Sequence, residues 1–211
     1  MNRLPVFGED PKTGKRFTYV WFSAGGVGAL ATKDGLSGTA FPSGIAGVPA
    51  EVIETLSPVV IKRRELRCDS GGPGEFRGGL GQTLELAVQG DRPFMFSGLY
   101  ERIDHPAPGP HGGEPGGAGA LTTNRPEIKL RAKTRVPLPA GTEITLELPG
   151  GGGFGPPWRR DRGRVLADVR DGYVSLEQAR NAYGVAIDPE RMIVLEDETA
   201  ALRADLEGAA R

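Results

Sequence analysis

Residues 68–81 have the sequence Cys68-Asp69-Ser70-Gly71-Gly72-Pro73-Gly74-Glu75-Phe76-Arg77-Gly78-Gly79-Leu80-Gly81, and six of these fourteen residues are glycine. Glycine at this density indicates a backbone that adopts positive φ or passes so close to other atoms that a Cβ would not fit. Predicted strands flank the stretch on both sides. Phe76 and Arg77 are the large side chains of its second half, so we expect the loop to display them.

Outside this stretch, most of the chain up to residue 149 has the patterns of β-strands. β-branched, aromatic or alternating segments predict strands over residues 17–22, 59–67, 83–88, 93–100, 127–134 and 143–148. In the alternating segments, the apolar side chains on one face are expected to point into a core. These are Leu84, Leu86 and Val88, then Ile128, Leu130 and Ala132, and finally Ile144, Leu146 and Leu148.

Long connections and a change of periodicity complete the predicted organisation. Residues 23–49 and 101–123 are predicted loops, and residues 49–55 are compatible with a helical turn or a short strand. Helices are predicted over 161–170 and, from the capping box at Ser175, through Tyr183. A last strand over 191–195 and a helix over 199–206 follow.

The predicted fold class is therefore α+β: a mostly antiparallel β-sandwich or distorted barrel with long Gly/Pro-rich loops, followed by short C-terminal helices. The predicted organisation has three parts. They are an irregular N-terminal arm (1–16), a β-rich domain (17–149), and a glycine-rich turn with a helical appendage (150–211).

Composition excludes several functional classes. The net charge is −1, which gives no electrostatic case for nucleic acid. One cysteine excludes an internal disulfide framework, and the sequence shows neither a signal peptide nor a membrane span. We therefore expect a cytoplasmic protein without membrane association.

Two motifs match the sequence of a known catalytic or cofactor-binding motif but lack the surrounding features that such a site needs. Asp69-Ser70-Gly71-Gly72-Pro73 looks like the nucleophile loop of chymotrypsin-type proteases, but both histidines follow the serine. Gly26-Val27-Gly28 follows a strand like a dinucleotide fingerprint, but Gly35 and Gly38 interrupt the helix that such a site needs. Glycine-rich turn chemistry explains both motifs.

Three further features have an ordinary structural interpretation beside a functional one. The potential metal ligands Glu101, Asp104, His105, His111 and Glu114 share one loop, but their spacing matches no standard metal site, and we predict no metal in this chain. The run Gly150–Gly155 could cradle a phosphate, but a bend from sheet to helices with Phe154 and Trp158 packed beneath it is the preferred interpretation. Cys68 is expected to be a buried thiol.

Taken together, several stretches resemble the C-terminal region of the hydantoinase B/5-oxoprolinase family. They are, in the family's order, residues 69–81, Gly112-Gly113-Glu114-Pro115-Gly116, Pro149-Gly150-Gly151-Gly152-Gly153-Phe154-Gly155, and Asp168-Val169-Arg170-Asp171-Gly172-Tyr173-Val174-Ser175 continuing to Tyr183-Gly184-Val185. The resemblance covers approximately residues 17–186.

The resemblance implies part of an ATP-dependent ring-opening hydrolase of cyclic amides such as N-methylhydantoin or 5-oxoproline. A hydantoinase A-type partner, or the N-terminal half of a fused chain, is expected to bind ATP, with a divalent metal in the complete complex. Phosphorylation of an unactivated amide oxygen supplies the missing leaving group. Acetone and acetophenone carboxylases are relatives, so part of a carboxylase complex is an alternative.

The Asn-Asp-Pro and His-His-Ala-Asp type motifs of the family's N-terminal part do not occur here. We therefore expect a fragment, split subunit or remnant that is inactive alone and joins a hetero-oligomer with a hydantoinase A-like chain or the missing part of hydantoinase B. A non-catalytic docking module is the other alternative. No catalytic residue is carried over from the family, and the candidate site residues are Asp69, Arg77, Arg102 and His105.

Overall fold

A computed structural model describes residues 2–40, 44 and 47–209, and its body is a sandwich of two antiparallel sheets. The strands are β1 (Asn2–Glu9), β2 (Arg16–Ser23), β3 (Val59–Leu66), β4 (Gln82–Val88), β5 (Phe94–Leu99), β6 (Ala120–Thr123), β7 (Lys133–Leu138), β8 (Glu143–Glu147), β9 (Ile187–Asp188) and β10 (Ile193–Val194). The helices are α1 (Ala50–Leu56), α2 (Arg162–Arg170), α3 (Leu176–Asn181) and α4 (Glu196–Ala209), with a 3₁₀ turn over Pro157–Arg159. None of the helices in this described part is long and apolar enough to cross a membrane.

The two sheets have the orders β2-β1-β5-β7 and β3-β4-β8-β6, and they do not close into a barrel. Their inner faces share one core. Period-two alternation places Leu84, Leu86, Ile144 and Leu146 on the inner face of the second sheet, where each is at most 1% exposed. The sandwich alternative of the predicted fold is therefore the correct one.

The predicted irregular arm over residues 1–16 is wrong, because β1 is an interior strand of the first sheet. Leu4 and Val6 are fully buried in the core. Pro5 argued against a strand in the sequence, because proline cannot donate a hydrogen bond to a neighbouring strand. The register with β5 pairs Arg3 with Leu99 and Val6 with Phe96 but skips the residues around the proline.

The strand predicted over 127–134 is also wrong for most of its length, because β7 begins at Lys133. A turn in which Ile128 N–H donates to the Arg125 carbonyl replaces the start of the strand. Ile128 and Leu130 nevertheless pack against the core, so the alternation identified the inward side chains without identifying their backbone. The predicted loop over 101–123 ends in strand β6, and the ambiguous segment at 49–55 is helix α1.

The remaining expected loop, over 23–49, includes residues 41–43, 45 and 46, which lie outside the described part of the chain. Within the part described, its beginning packs tightly against the glycine-rich stretch at 68–81. Gly26 donates to the Pro149 carbonyl, and Gly79 donates to the Val27 carbonyl at 2.8 Å. Gly35 donates to the Arg77 carbonyl at 2.8 Å. The loop is thus fixed to the body by backbone bonds.

Four glycine-rich segments form the unit that we call the glycine bundle: residues 25–38, 70–81, 107–117 and 149–155. The segment 149–155 bonds to each of the other three. Gly150 donates to Gly117, Gly151 donates to Gly79 and accepts from Gly72, Gly152 accepts from Ala29, and Gly153 donates to Glu114, all at 2.8–3.0 Å. The run is therefore the centre of the bundle and not the bend predicted from sequence.

At several glycines of the glycine bundle, contact between backbones leaves no room for a Cβ atom. A Cβ on Gly150 would lie 1.6 Å from the Ser70 carbonyl oxygen, and one on Gly151 would lie 2.1 Å from the Val27 carbonyl oxygen. Neither clash involves a flexible side chain, so the backbones themselves would have to separate. The expectation of a close backbone approach is therefore confirmed for this family of loops.

The C-terminal helices form a second, smaller core that contains Val165, Ala179 and Tyr183. Asp161 caps α2 by accepting from Arg164 N–H, and Ser175 caps α3 by accepting from Gln178 N–H. Gly172 (φ 72°) and Gly184 (φ 60°) follow the helix ends in the left-handed conformation, as the sequence predicted. The division of the chain into domains stays a prediction.

We predict that Gly150→Ala lowers the free energy of unfolding by at least about 3 kcal/mol, because the added methyl group forces two backbones apart. Gly208→Ala is the matched control, since a Cβ on Gly208 in α4 meets nothing within 4 Å. Urea denaturation of both variants measures the difference. Equal stability of the two variants would show that the glycine bundle accommodates side chains.

Candidate functional site

Four side chains from distant parts of the chain meet between the glycine bundle and α2, and we call them the arginine cluster: Asp34, Arg77, Arg160 and Asp168. The Arg160 side chain is 1% exposed and lies between the two carboxylates. Its Nη1 and Nη2 donate to the two oxygens of Asp34 at 2.7 and 2.8 Å, which is a bidentate arrangement. Its Nε and Nη2 donate to Asp168 Oδ2 at 3.1 and 2.7 Å.

Arg77 contributes the second buried guanidinium of the arginine cluster. Its Nε lies 3.3 Å from Asp168 Oδ2 without the alignment of a hydrogen bond, and its Nη1 donates to the Gly78 carbonyl at 2.8 Å. Its guanidinium carbon lies 5.3 Å from the centre of the Tyr173 ring. Arg77 is 5% exposed, so the expectation that the loop displays it is wrong. The ion pair and the aromatic ring draw the side chain inward.

Asp34 connects the arginine cluster to the backbone of the glycine bundle. Its Oδ1 accepts from Arg77 N–H at 2.7 Å, and its Oδ2 accepts from Arg164 Nη2 at 2.6 Å. Burial raises the pKa of the Asp34 carboxyl, but the hydrogen bonds and charge of Arg160 outweigh burial and hold that pKa below its usual value. Asp34 is therefore held as a carboxylate.

A buried phenol lies near the arginine cluster. Tyr183 is 0% exposed, and its hydroxyl has no hydrogen-bond partner within the described structure. Burial raises the pKa of Tyr183, and the nearby charges of Arg160 and Arg77 oppose that effect without cancelling it. Within the arginine cluster itself, most charged groups bond to one another or to backbone groups, which suits a role in holding α2 against the glycine bundle more than a role in chemistry.

Asp69, the first of the predicted site residues, has a structural contact. Its φ is 59°, a conformation that aspartate tolerates better than most side chains. Its Oδ1 accepts from Ser175 N–H at 2.7 Å, and its own N–H donates to the Tyr173 carbonyl at 3.1 Å. Asp69 and Arg77 therefore both contact the segment that joins α2 to α3.

Arg102 and His105 are brought together elsewhere, in a shallow groove of about 310 Å³ that Tyr100 and Lys133 also line. Both side chains are exposed, and Arg102 has a φ of 63°. Burial raises the pKa of Tyr100, whose hydroxyl donates to the Glu147 carbonyl. The four predicted residues thus divide between two places, and their role as site residues stays a prediction.

The contacts of the protease-like motif and of the glycine run at 150–155 are structural. Ser70 is 1% exposed, and its hydroxyl donates to the Arg67 carbonyl and accepts from Gly81 N–H. The N–H groups of Gly150, Gly151 and Gly153 all donate to carbonyls, so they do not face a phosphate. In the described residues, no three potential metal ligands are grouped.

Cys68 is exposed, so the expected buried thiol is wrong. It lies two residues after the end of β3 and two residues before the second segment of the glycine bundle. Partial desolvation raises the pKa of the Cys68 thiol, and the neighbouring Asp69 carboxylate raises it further. The thiol is therefore mostly protonated near neutral pH, which disfavours a nucleophilic role.

The sequence interpretation missed Asp34, Arg160 and Asp168. One signal was available for Asp168, which falls three residues after Val165 on the apolar face of α2. A carboxylate in that position indicates a buried cationic partner. Nothing in the sequence indicated which arginine would pair with it.

A family model described as hydantoinase B/oxoprolinase matches residues 1–157, which include both sheets and the glycine bundle. The chain belongs to the hydantoinase B/oxoprolinase family. Among its relatives, the beta subunit of caprolactamase from Pseudomonas jessenii is 40% identical over 146 residues, which are 65% of this chain and 25% of that subunit.

Solved structures agree with the family assignment. The crystal structure of the ATP-dependent caprolactamase from Pseudomonas jessenii superimposes on 95% of this hydantoinase B-family chain and 37% of its own, with a TM-score of 0.76 and 31% identity. Nucleotide-free acetone carboxylase covers all of this chain and 33% of its own with a TM-score of 0.81, but at 23% identity it shows the fold alone. The chain spans between 12% and 30% of the length of the curated relatives it matches.

We predict that Arg160→Gln lowers the free energy of unfolding by about 3–5 kcal/mol, because it removes the one guanidinium that bonds to both buried carboxylates and leaves each with a single, less completely bonded cation. Arg162→Gln is the control, since Arg162 makes an exposed ion pair with Glu196 and its loss should cost less than about 1 kcal/mol. Urea denaturation measures both variants. Similar losses in the two would contradict a structural role for the arginine cluster.

We also predict that the stabilising contribution of Asp34 disappears in acid. Because the pKa of Asp34 is lower in the folded state than in the unfolded state, its contribution is complete above the unfolded pKa, near 4, and is lost as the pH falls through the folded value. Urea midpoints of the natural chain and Asp34→Asn, measured from neutral pH downwards, should therefore converge below about pH 4. A constant difference across this range would contradict the assignment.

Proposed function

We propose that this chain acts as the C-terminal part of the hydantoinase B component of an ATP-dependent hydrolase of cyclic amides. The single observation that carries the proposal is the alignment of 95% of the chain with an ATP-dependent caprolactamase at 31% identity. A lactam is a poor electrophile, and ATP makes its carbonyl oxygen a leaving group. The proposed substrate is a cyclic amide of the caprolactam, hydantoin or 5-oxoproline type, and the names of the family and of the relatives support this choice.

We propose further that the chain is not active alone and that ATP and a divalent metal are bound elsewhere in the complete complex. The small share of its relatives that the chain spans supports this view. The arginine cluster supports it as well, because Arg160, Asp34 and Asp168 already bond to one another. The contribution of the chain is then a rigid body that holds the segments at 23–40 and 101–119 in position.

A surface of α1 favours docking as a second role of the same chain. Val52 and Leu56 lie four residues apart on one face of the helix and are 43% and 72% exposed, whereas Ile53 is buried. Exposed apolar side chains that share a helix face are typical of a contact with another chain. The proposed occupant is a hydantoinase A-like ATP-binding subunit, since the matched relatives include chains named as subunits.

The proposal is tested by co-expressing the chain with a hydantoinase A-type chain and the N-terminal part of a hydantoinase B chain. We expect release of phosphate from ATP that depends on caprolactam or 5-oxoproline in the assembled complex and no turnover by the chain alone. The double variant Val52→Gln/Leu56→Gln should lose co-purification with the A-type chain. Ile193→Gln, which alters an exposed apolar side chain on β10, is the matched control.

Three results would change the proposal. Hydrolysis of 5-oxoproline by the isolated chain without ATP would overturn it. Phosphate release that requires acetone and bicarbonate would assign the chain to a carboxylase-type complex. If the chain joins a stable complex but the partner chains have the same activity without it, docking would remain as its role.

A further inference from the structure

A hollow of about 570 Å³ lies on the outer face of the sheet β2-β1-β5-β7, away from the core. Side chains alternate across a strand, so the residues next to the buried Val6 and Phe96 point outward. These are Phe7 and Met95, which lie opposite each other in the register of β1 and β5. Thr18 lies opposite Phe7 on the other side. The volume is in the range of about 300–1,000 Å³ that is typical of small-molecule sites.

The floor of the hollow is less polar than the outer face of an open antiparallel sheet usually is. Such a face is normally solvated and carries polar side chains. Here Phe7 and Met95 are only partly exposed and supply an aromatic ring and a polarisable thioether. They give a flat apolar ligand a surface on which to stack.

The charges that line the hollow are mostly positive. Arg16, Arg92 and Arg135 surround it with a single carboxylate, Glu9. Glu9 is already paired with Arg92 at 2.5 Å. Between residues 2 and 209, and leaving aside those that the structure does not describe, neither Arg16 nor Arg135 lies within 4.0 Å of a carboxylate.

Arg135 is held in position over the aromatic floor. Its guanidinium carbon lies 5.5 Å from the centre of the Phe7 ring, a cation–π arrangement that orients the group beside the hollow. Guanidinium is also the group that recognises carboxylate and phosphate by paired hydrogen bonds. The hollow therefore combines a stacking surface with two guanidinium groups that form no ion pair with a carboxylate in the described part of the chain.

We propose that this hollow binds a small organic anion that has a planar apolar body and a carboxylate or phosphate group. The body stacks on Phe7 and Met95, and the anionic group bonds to Arg16 and Arg135. Both halves of the ligand are needed, because an exposed guanidinium alone binds an inorganic anion weakly in salt. The site is separate from the arginine cluster, and it does not depend on the proposed hydrolase activity.

Isothermal titration of the full chain in about 0.15 M salt tests the proposal with four probes: indole-3-acetate, phenyl phosphate, the neutral indole-3-acetamide, and inorganic phosphate. We expect one or both of the organic anions to bind with a dissociation constant below about 5 mM. The neutral amide and inorganic phosphate should each bind at least about fivefold more weakly than the better organic anion. The comparison of indole-3-acetate with phenyl phosphate distinguishes a carboxylate from a phosphate ligand.

Single variants assign the binding to the hollow. Arg16→Gln and Arg135→Gln should each weaken binding about twofold to fivefold, and Phe7→Leu should weaken binding of the aromatic anions while the hollow stays apolar. Arg3→Gln is the matched control, because Arg3 is an exposed cation on the same strand as Phe7 but does not line the hollow. Arg16 and Arg135 are exposed, so these variants should fold, and a thermal melt checks that they do.

Four outcomes would overturn the proposal. The first three are the absence of binding by both organic anions up to about 5 mM, binding of the better organic anion that is no tighter than that of indole-3-acetamide, and an effect of Arg3→Gln equal to that of Arg16→Gln and Arg135→Gln. Equal binding of inorganic phosphate would also overturn it, since the apolar floor would then have no role.

Discussion

Direct contact between backbones in the glycine bundle is the constraint on which the rest of the structure depends. At Gly150 and Gly151, neighbouring carbonyl oxygens occupy the space that a Cβ would need. Glycine loses more conformational entropy on folding than any other residue, so this arrangement destabilises the folded state unless other interactions compensate for it. The compensation comes from hydrogen bonds to several neighbouring segments and from the cores on either side of the bundle.

The glycine bundle connects two parts that are stabilised by different physics. On one side, the sandwich buries apolar side chains between two sheets. On the other side, the C-terminal helices are attached through the arginine cluster, in which Arg160 reaches Asp34 across 126 positions of the sequence. A buried ion group of this kind contributes less to net stability than an apolar contact of the same size, but it defines one geometry. The helices therefore have a defined position relative to the glycine bundle.

Local sequence patterns correctly predicted the strands and helix ends that neighbouring residues alone determine. The alternation over 83–88 and 143–148, the capping box at Ser175, and Gly172 and Gly184 after the helices all appear in the structure as expected. The errors have physical causes. Pro5 in an interior strand contradicts strand propensity, and the backbone at 128–132 is irregular although its apolar side chains alternate and pack against the core.

The candidate site was less predictable because its contacts are long-range. Arg77 could be selected from the sequence as a large side chain in a glycine-rich loop, but its burial depends on Asp168, which is 91 positions away. Asp34 has no local signal at all. The outer-face hollow was equally invisible, because it requires the register of β1, a segment that did not have the sequence pattern of a strand.

The close backbone contacts at glycines such as Gly150 and Gly151 also limit which substitutions the chain can accept. At Gly150 even alanine, the smallest residue with a side chain, would place its Cβ against the Ser70 carbonyl oxygen. No substitution at this position is therefore conservative. These glycine positions therefore carry no side chain that could be altered to suit a new substrate or a new partner. Adaptation has to act on the surfaces that the bundle holds in place, such as the face of α1, the groove beside Arg102 and the outer face of the first sheet.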